Sequence, residues 1–416
     1  MTNKILCNTN NTKIKSIDIL CIYLYTIASF RLFEYNVVPE PISRLSGLLS
    51  ITIMLIYAIP SIARKNNSMF YGLMRWIVIW TFLSIVFAFV FFDQDVITGY
   101  RSTSVALSMC FFFYLYNRRI PIEFLKRYLL VWSGIYCVLW AYAFFHAPDI
   151  LFGYMFELDN GGDVYDEQRG AFRVNLIGRQ MLVFAWFVCF DALLKKQYKY
   201  FPFAILLYVV IIFQLTRQII LWTALISFLY FFYYHRLLIF TAIVCLIMGM
   251  GPIVSFLEKD DGVLGSMLLA SQLEAENSEM KGENIRITEY RVCFTEWAPN
   301  PFAFVLGCGH PHVTSSYGKY ETQWKARGIY LGDVGYGKII VTTGLVGLLM
   351  FSILFYNCFR ARVHKDVRFA QMYMIYLIPA HIACAWYCTP DGQIALAIGV
   401  YAIMTGKNNR NLKRTN

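Results

Sequence analysis

Runs of about 20 mostly apolar residues recur from the first tenth of this chain to its last tenth, and each is long enough to cross a bilayer as an α-helix. The chain has 416 residues, of which 58% are hydrophobic and 15% are charged. Soluble domains carry about 25% charged residues. The sequence therefore predicts an all-α, polytopic membrane protein and excludes a soluble globular enzyme.

Cutting the apolar runs at charges and at Pro or Gly clusters gives about twelve predicted membrane spans. They are 17–36, 43–63, 70–92, 102–117, 127–146, 176–194, 201–216, 218–235, 237–257, 336–358, 369–388 and 392–406. Arg217 divides an apolar stretch of about 34 residues, which is too long for one crossing. We therefore predict a tight turn at residues 216–218.

The positions of Lys and Arg predict the orientation of these spans. With both termini in the cytoplasm, the short connections on that side are almost uniformly basic, as in Lys195, Lys196 and Lys199. This is the positive-inside pattern. The net charge of +11 lies in short clusters between apolar runs rather than in one patch, so we expect no nucleic-acid partner.

The predicted spans divide the chain into three parts. Residues 1–257 form a transmembrane bundle of nine spans, which includes an outer loop at 147–175. Residues 258–335 form one large outer loop, and residues 336–416 hold three more spans and a basic cytoplasmic tail. The large loop is acidic overall; its first half has helical spacing and its second half, from Ala298, is predicted to be irregular.

Only two of the eleven cysteines, Cys293 and Cys308, fall in the large loop. In an oxidising compartment a disulfide between them would stabilise the loop by roughly 3 kcal/mol. Two free thiols packed inside the loop would give the same sequence, so both alternatives stay open. No Cys and His spacing resembles a zinc site.

Arginines at the outer ends of spans are the first candidate binding residues, because a charge at membrane depth is costly unless it is paired or functional. Arg217, in QLTRQIILW at the tip of the predicted turn, is the clearest case. A guanidinium can bind a phosphate or pyrophosphate with two hydrogen bonds. The alternative is an arginine that anchors a helix end by reaching to the interface.

Five further arginines are candidates for the same role. Those before the sixth span could instead pair with acidic residues of their own loop, and those on the predicted loop helix could simply face solvent. They are Arg169, Arg173, Arg179, Arg286 and Arg291.

Three residues are candidate proton acceptors. His310 and His312 follow a Gly-rich turn in GCGHPHVTSS, where the backbone could come close to a ligand, and either imidazole suits general-base chemistry near neutral pH. Asp333, in YLGDVGYGKII, precedes the tenth span and could accept a proton or orient a sugar hydroxyl. A turn histidine without a role and a helix cap are the respective alternatives.

Several motifs are absent. The sequence has no Walker A motif and no GxGxxG between a strand and a helix. ATP-driven transport is therefore disfavoured.

Taken in order, these motifs resemble the O-antigen polymerase and ligase superfamily. The resemblance lies in LTRQ at mid-chain, RITEYRVCFTEW in the first half of the large loop, the FVLGCG segment, and GDVGYGKIIVTTGLVGLLMF. It covers roughly 200–360. The last stretch is similar to the polymerase branch, since the ligase branch is expected to carry a histidine near Asp333 and this sequence has none there.

The resemblance implies a membrane-embedded glycosyltransferase of a bacterial inner membrane that needs no metal or other cofactor. Such a protein moves a growing surface polysaccharide from undecaprenyl pyrophosphate onto the next lipid-linked repeat unit. Its partners would be the undecaprenyl-pyrophosphate-linked oligosaccharide, membrane lipid and a separate protein that regulates chain length. Arg217, Arg173 and Arg291 would bind the pyrophosphate, and Asp333 would be the first choice of base.

Two other functions stay open at this point. A ligase of the same superfamily would transfer finished polymer to a lipid A core or to a protein. A transporter of lipid-linked sugars would also have many spans and basic residues in the membrane, although transporters commonly have two matching halves and none are found here.

Overall fold

A computed structural model describes residues 14–64, 66–146, 149, 151–152, 164–166, 171–174, 176–214, 216–234 and 285–413, and these residues are mostly helical. In chain order the first helices are α1 (Ser16–Ser29), α2 (Glu40–Ala63), α3 (Met69–Phe92), α4 (Val96–Thr103), α5 (Phe111–Arg118), α6 (Ile122–Phe145), α7 (Arg179–Leu194), α8 (Phe201–Phe213) and α9 (Arg217–Tyr234). The later helices are α10 (Ile285–Arg291), α11 (Pro301–Leu306), α12 (Ser316–Lys325), α13 (Gly335–Arg360), α14 (Arg368–Ala380) and α15 (Pro390–Lys413).

Among the described residues, five helical segments are long and apolar enough to cross a membrane. They are Ser16–Glu34, Glu40–Ala63, Met69–Phe92, Ile122–Phe145 and Gly335–Arg360. Two shorter apolar helices, Tyr198–Phe213 and Arg217–Tyr233, lie between them in sequence. The protein is therefore an all-α membrane protein by architecture, while the predicted number of twelve spans exceeds these five.

A helix occupies every predicted span that falls within the described residues, although several boundaries differ; the span predicted at 237–257 lies outside them. The chain does turn near Arg217, but earlier than the predicted residues 216–218. The break lies between Phe213, where α8 ends, and Arg217, where α9 begins, so Arg217 and Gln218 are already helical. The eleventh predicted span was too long. Its helix ends at Ala380, because Pro379 sits in the last turn and favours termination.

The fourth predicted span, 102–117, is not one continuous helix. It contains the end of α4, a 3₁₀ turn at Ala106–Cys110, and α5. The Ser102 hydroxyl donates to the backbone oxygens of Gly99 (3.1 Å) and His310 (2.8 Å). Serine and threonine hydroxyls that bond to the backbone compete with the helical ladder, which gives a physical reason for the interruption.

The second half of the large loop is more regular than predicted. It contains α11 and α12, each begun by a side chain that accepts a hydrogen bond from the first turn. The Asn300 side chain accepts from the Ala303 N–H at 2.9 Å, and the Ser315 hydroxyl accepts from the Gly318 N–H at 3.0 Å. Capping residues of this kind stabilise short helices that hydrophobic spacing alone does not reveal.

Two strands, β1 (Val164–Asp166) and β2 (Ala171–Arg173), form a small antiparallel hairpin in the described part of the 147–175 loop. This hairpin is a minor exception to the predicted all-α fold. The helical bundle has one large buried core, to which α5, α6, α7, α14 and α15 contribute.

The described part of the large loop has a second core, which packs against α3 and α13. Trp297, Tyr317 and Leu331 are almost completely buried there. The Trp297 indole N–H donates to the Tyr317 hydroxyl at 3.1 Å, and the Tyr317 ring stacks on Phe92 of α3 at 4.0 Å between centroids. These contacts fix the loop on one end of the bundle, which we call the loop end.

Candidate functional site

The connection between α14 and α15, residues 381–389, is the place where distant parts of the chain meet at the loop end. The Ala385 N–H donates to the Gly332 oxygen at 3.0 Å, just before α13. The Tyr336 N–H, in the first turn of α13, donates to the His381 oxygen at 3.1 Å. We call this segment the 381–389 connection. It ties the start of α13 to the end of α14.

Arg179, one of the predicted binding arginines, is the first residue of α7 and is buried, with 6% of its surface exposed. Its Nη1 lies 3.4 Å from the Thr216 hydroxyl, next to Arg217 in the turn before α9. Its guanidinium carbon lies 5.7 Å from the centroid of the Trp386 ring, in the 381–389 connection. A buried guanidinium over an aromatic ring is held in one orientation.

Asp391, in the first turn of α15, adds a buried carboxylate near Arg179. Its Oδ2 accepts the Gln180 N–H at 2.8 Å and so satisfies one of the free N–H groups at the start of α7. Arg179 and Asp391 both interact electrostatically with the Tyr136 hydroxyl on α6. A negative charge near a buried arginine reduces the cost of burying it.

Four helices, α7, α9, α13 and α15, begin at the loop end close to the 381–389 connection. The start of a helix carries a partial positive charge and free N–H groups, both of which favour an anion. Lys338, in the first turns of α13, adds a partly buried cation that interacts with the Cys388 thiol. The electrostatics of this end therefore favour a negatively charged group.

Arg286 and Asp333, both predicted as site residues, are in direct contact. The Arg286 side chain binds the backbone of Asp333 rather than its carboxylate. Arg286 Nη1 donates to the Asp333 carbonyl oxygen at 2.6 Å and to the Ala383 oxygen at 3.4 Å. The Asp333 residue is exposed. Arg286 thus joins the segment before α13 to the 381–389 connection, and Asp333 stands at the surface of the same end.

Glu289, one turn after Arg286, is a buried carboxyl that the sequence reasoning did not single out. Its Oε1 accepts the Tyr330 N–H at 3.1 Å, and 1% of its surface is exposed. Burial first and the charge of Asp333 second raise the pKa of Glu289 to about 7, against the lowering effects of the Tyr330 N–H and Arg286. The carboxyl therefore titrates near neutral pH.

His310 is buried inside the loop end rather than facing an open surface. Its exposed fraction is 6%, and its ring centroid lies 6.1 Å from that of Tyr387 in the 381–389 connection. Burial, with a smaller effect of the Lys338 charge, lowers the pKa of His310 to about 3. A general base works best with a pKa near the operating pH, so this environment weakens His310 as a base.

His312 lies further from the connection and is partly exposed. Its Nδ1 is 2.9 Å from the Thr314 hydroxyl, and its backbone N–H donates to Gln94 at 3.0 Å. Partial burial and the charges of Arg101 and Arg44 lower the pKa of His312. The same Gln94 side chain donates to the His310 oxygen at 2.9 Å, so it holds the backbone of both histidines next to the end of α3.

The other predicted arginines have different surroundings. Arg217 is partly buried at the start of α9, adjacent to the Arg179 contact. Arg291 is half-exposed at the end of α10, 4.0 Å from Glu296. Arg173 is the last residue of β2, paired in register with Val164. Arg169 lies outside the described residues.

The Gly-rich turn at 307–309 approaches the backbone of α13 rather than an open ligand site. The N–H groups of Cys308 and Gly309 donate to the Val341 and Thr342 oxygens at 2.8 and 2.9 Å. Cys308 and Cys293 are both buried free thiols, so the structure contains no disulfide between them. Within the described ranges, no three metal-ligating side chains come together.

The residues that the sequence reasoning missed are Glu289, Lys338, Trp386 and Asp391. Two of them carried a local signal. Glu289 stands three residues after Arg286 and thus on the same helical face, and Asp391 stands in TPDG, where Pro and Asp begin α15. Lys338 and Trp386 had none, since their role depends on contacts across the bundle.

No family model matches this chain, and no curated protein matches it either.

Proposed function

We propose that this protein polymerises lipid-linked oligosaccharide repeat units of a surface polysaccharide, an O-antigen, capsule or exopolysaccharide, at the outer face of a bacterial inner membrane. The observation that carries the proposal is the buried Arg179, held over Trp386 where four helices begin. We take this guanidinium, at one end of a membrane bundle, as the candidate group that binds the pyrophosphate. The motif order described above, which resembles the polymerase branch, supplies the reaction.

The proposal includes a finer topology. Twelve spans would place both termini in the cytoplasm and the large loop in the periplasm. The loop end, with the arginines and Asp333, would then face the side where lipid-linked repeats are polymerised. An undecaprenyl tail would lie in the bilayer beside the bundle, with its pyrophosphate at the level of the helix starts.

The chemistry is a glycosyl transfer. A hydroxyl oxygen of the incoming repeat unit forms a bond to the anomeric carbon of the growing chain, and the bond from that carbon to the pyrophosphate oxygen breaks. The electron pair leaves with undecaprenyl pyrophosphate, and the hydroxyl proton passes to the Asp333 carboxylate. Asp333 fits this role better than the histidines because it is exposed, whereas burial lowers the pKa of His310 and makes it weakly basic.

The cations would act on the leaving group. Negative charge increases on the pyrophosphate as the bond breaks, and fixed positive groups in a dry site stabilise that charge most in the transition state. Arg179 is the first of these, and Arg217 and Lys338 lie on the neighbouring helix starts. Loss of one such group typically slows a reaction on the order of 100-fold or more.

The test replaces Arg179 by Ala in the strain that carries the gene. Surface polysaccharide and lipid-linked intermediates are separated on gels beside those of the deletion strain. We expect the ladder to collapse to a single repeat unit on its acceptor, with Arg217→Ala giving the same defect. The matched control is Arg360→Ala, which removes an exposed arginine at the opposite end of α13 and should leave the ladder normal.

Other outcomes distinguish the alternatives. Normal chain lengths in Arg179→Ala, with the protein present in the membrane, would overturn the proposal. Finished polymer that stays on its carrier lipid while the final acceptor remains bare would indicate a ligase. Unpolymerised lipid-linked repeats that stay on the cytoplasmic leaflet in the deletion strain would indicate a transporter.

A further inference from the structure

The segment 330–333, which carries Asp333, is held at both ends by side chains of α10. At its start, the Tyr330 N–H donates to Glu289 Oε1 at 3.1 Å. At its end, the Asp333 oxygen accepts from Arg286 Nη1 at 2.6 Å. Arg286 and Glu289 are three residues apart, so they project from one face of the helix. This face therefore clamps the segment from first residue to last.

The helix that makes this clamp is itself fixed to the 381–389 connection. The Tyr290 hydroxyl donates to the Ile382 oxygen at 2.6 Å, and Arg286 reaches the Ala383 oxygen at 3.4 Å. The π-helical turn after α10 continues into the loop core through Cys293. Because α10 is anchored on these two sides, the position of its Glu289 determines the position of residue 330.

Glu289 has a mixed electrostatic environment. Its second oxygen, Oε2, is buried and has no hydrogen-bond partner among the described residues. The charged and titratable groups that face it are Arg286 on its own helix, Asp333 on the clamped segment and the Cys293 thiol in the following turn. A carboxyl buried next to a second carboxyl holds its proton more tightly than one in water.

We propose that Glu289 is a positioning residue for Asp333: it fixes the 330–333 segment against α10, and it holds this segment more firmly when it is ionised. The inference rests on the proposed function for the role of Asp333. When Glu289 is ionised, its charge strengthens its bond to the Tyr330 N–H and so holds the 330–333 segment, with Asp333, more firmly in place.

The first test measures the clamp without any activity. Hydrogen exchange is followed in the peptide that spans 329–335 in purified full-length protein. We expect Glu289→Ala to speed exchange of the Tyr330 N–H by about 10-fold or more, since the local opening then lacks a hydrogen bond. Glu289→Gln, which keeps an acceptor oxygen, should stay close to wild type, as should the control Glu296→Gln on a half-exposed side chain. Unchanged exchange in Glu289→Ala would overturn the clamp.

The second test measures how the charge of Glu289 affects stability. The folded pKa of Glu289 is raised to about 7 from an ordinary value of 4.5, so its contribution to stability is lost as the pH rises from about 4.5 through about 7. The melting temperature of the wild type should therefore fall more over this range than that of Glu289→Gln. Equal pH dependence in the two proteins would overturn the role of the Glu289 charge, even if Glu289→Ala does not fold.

The third test connects the clamp to the reaction. In a polymerisation assay with lipid-linked repeats, we expect the wild-type rate to rise through about pH 7, a step that Glu289→Gln lacks. If the exchange and melting results hold but the wild type makes no polymer, the proposed function fails while the clamp stands. If polymer forms with the same pH profile in wild type and Glu289→Gln, the positioning role is overturned.

Discussion

Buried charged and titratable side chains are concentrated at the loop end of this protein. Arg179, Glu289, His310 and Asp391 each have 6% or less of their surface exposed. Burying such groups is costly unless hydrogen bonds or opposite charges compensate. Hydrophobic residues of similar size would avoid this cost. The presence of these buried charged and titratable groups at the loop end is therefore the strongest residue-level argument for a functional site there.

His310 gives a pH prediction at the residue scale. Its folded pKa, lowered to about 3, lies below the ordinary value of 6.5, so stability is present above about pH 6.5 and is lost as the pH falls toward 3. Replacing His310 by Gln should remove this loss, which is roughly 1 kcal/mol between about pH 6.5 and 5.5. Melting temperatures of the purified protein over this range check the prediction.

The control for His310 is His146→Gln, which alters an exposed histidine after α6. Its melting curve should follow the wild-type pH dependence. If His310→Gln keeps the full acid-side loss of stability, His310 is not the residue that remains neutral in the folded state.

At the scale of elements, the most unusual feature is the break inside α13. Gly344 has φ 70° and ψ −175°, which interrupts the helical hydrogen bonds of the preceding turn. The freed oxygens of Val341 and Thr342 accept from the 308–309 backbone, and the Thr343 oxygen accepts from the Trp80 indole at 2.8 Å. Backbone groups at membrane depth must be satisfied within the protein. The break is therefore stabilised by the loop and α3 together.

We predict that Gly344→Ala disrupts the contacts that the break in α13 makes with the 308–309 backbone and with α3. A Cβ at residue 344 would lie 2.3 Å from the Val305 oxygen and 2.4 Å from the Gly307 nitrogen, and its backbone conformation belongs almost only to glycine. The expected loss is about 2 kcal/mol or more of stability. It should appear as a lower melting temperature and less folded protein in the membrane.

The matched control is Gly134→Ala in the middle of α6, where a new Cβ meets nothing within 4 Å. Alanine has the higher helix propensity, so we expect this variant to be as stable as the wild type or slightly more stable. A Gly344→Ala protein that melts like Gly134→Ala would mean that the 307–309 turn can separate from α13 without loss of stability.

At the scale of the whole molecule, the two ends of the bundle differ in composition. The loop end holds the described loop core, the buried Arg179, Glu289 and Asp391, and the starts of α7, α9, α13 and α15. The opposite end holds basic connections, such as Lys195, which pairs with Asp191 at 2.5 Å, and Arg368, which lies 3.8 Å from the same carboxylate. This asymmetry is the basis for the proposed orientation in the membrane.

Reporter fusions test that orientation. We predict that alkaline phosphatase fused after Gly328, in the large loop, is active because it reaches the periplasm. Green fluorescent protein fused after Arg362, beyond α13, should be fluorescent because it stays in the cytoplasm. Immunoblots of each fusion control for its amount. The reverse pattern at both positions would contradict the orientation and would move the proposed site to the cytoplasmic side.

Much of the fold could be predicted from the sequence. Apolar runs and their interruptions placed helices at the described spans, and Arg217 marked the start of α9, directly after the turn that follows α8. The candidate list also contained Arg179, Arg286 and Asp333, which the structure places around the 381–389 connection or in contact with each other. Windows of about 20 residues are sufficient for these features because hydropathy and helix breaking are local properties.

The tertiary structure alone decided what these residues contact. Gln180 and Asp391 are 211 positions apart, and Trp80 and Thr343 are 263 apart, yet each pair forms a hydrogen bond. The neutral state of His310, the clamp by Glu289 and the break at Gly344 all depend on such contacts. Burial and hydrogen-bond partners are set by how the helices pack against one another, and a single linear pattern does not record that packing.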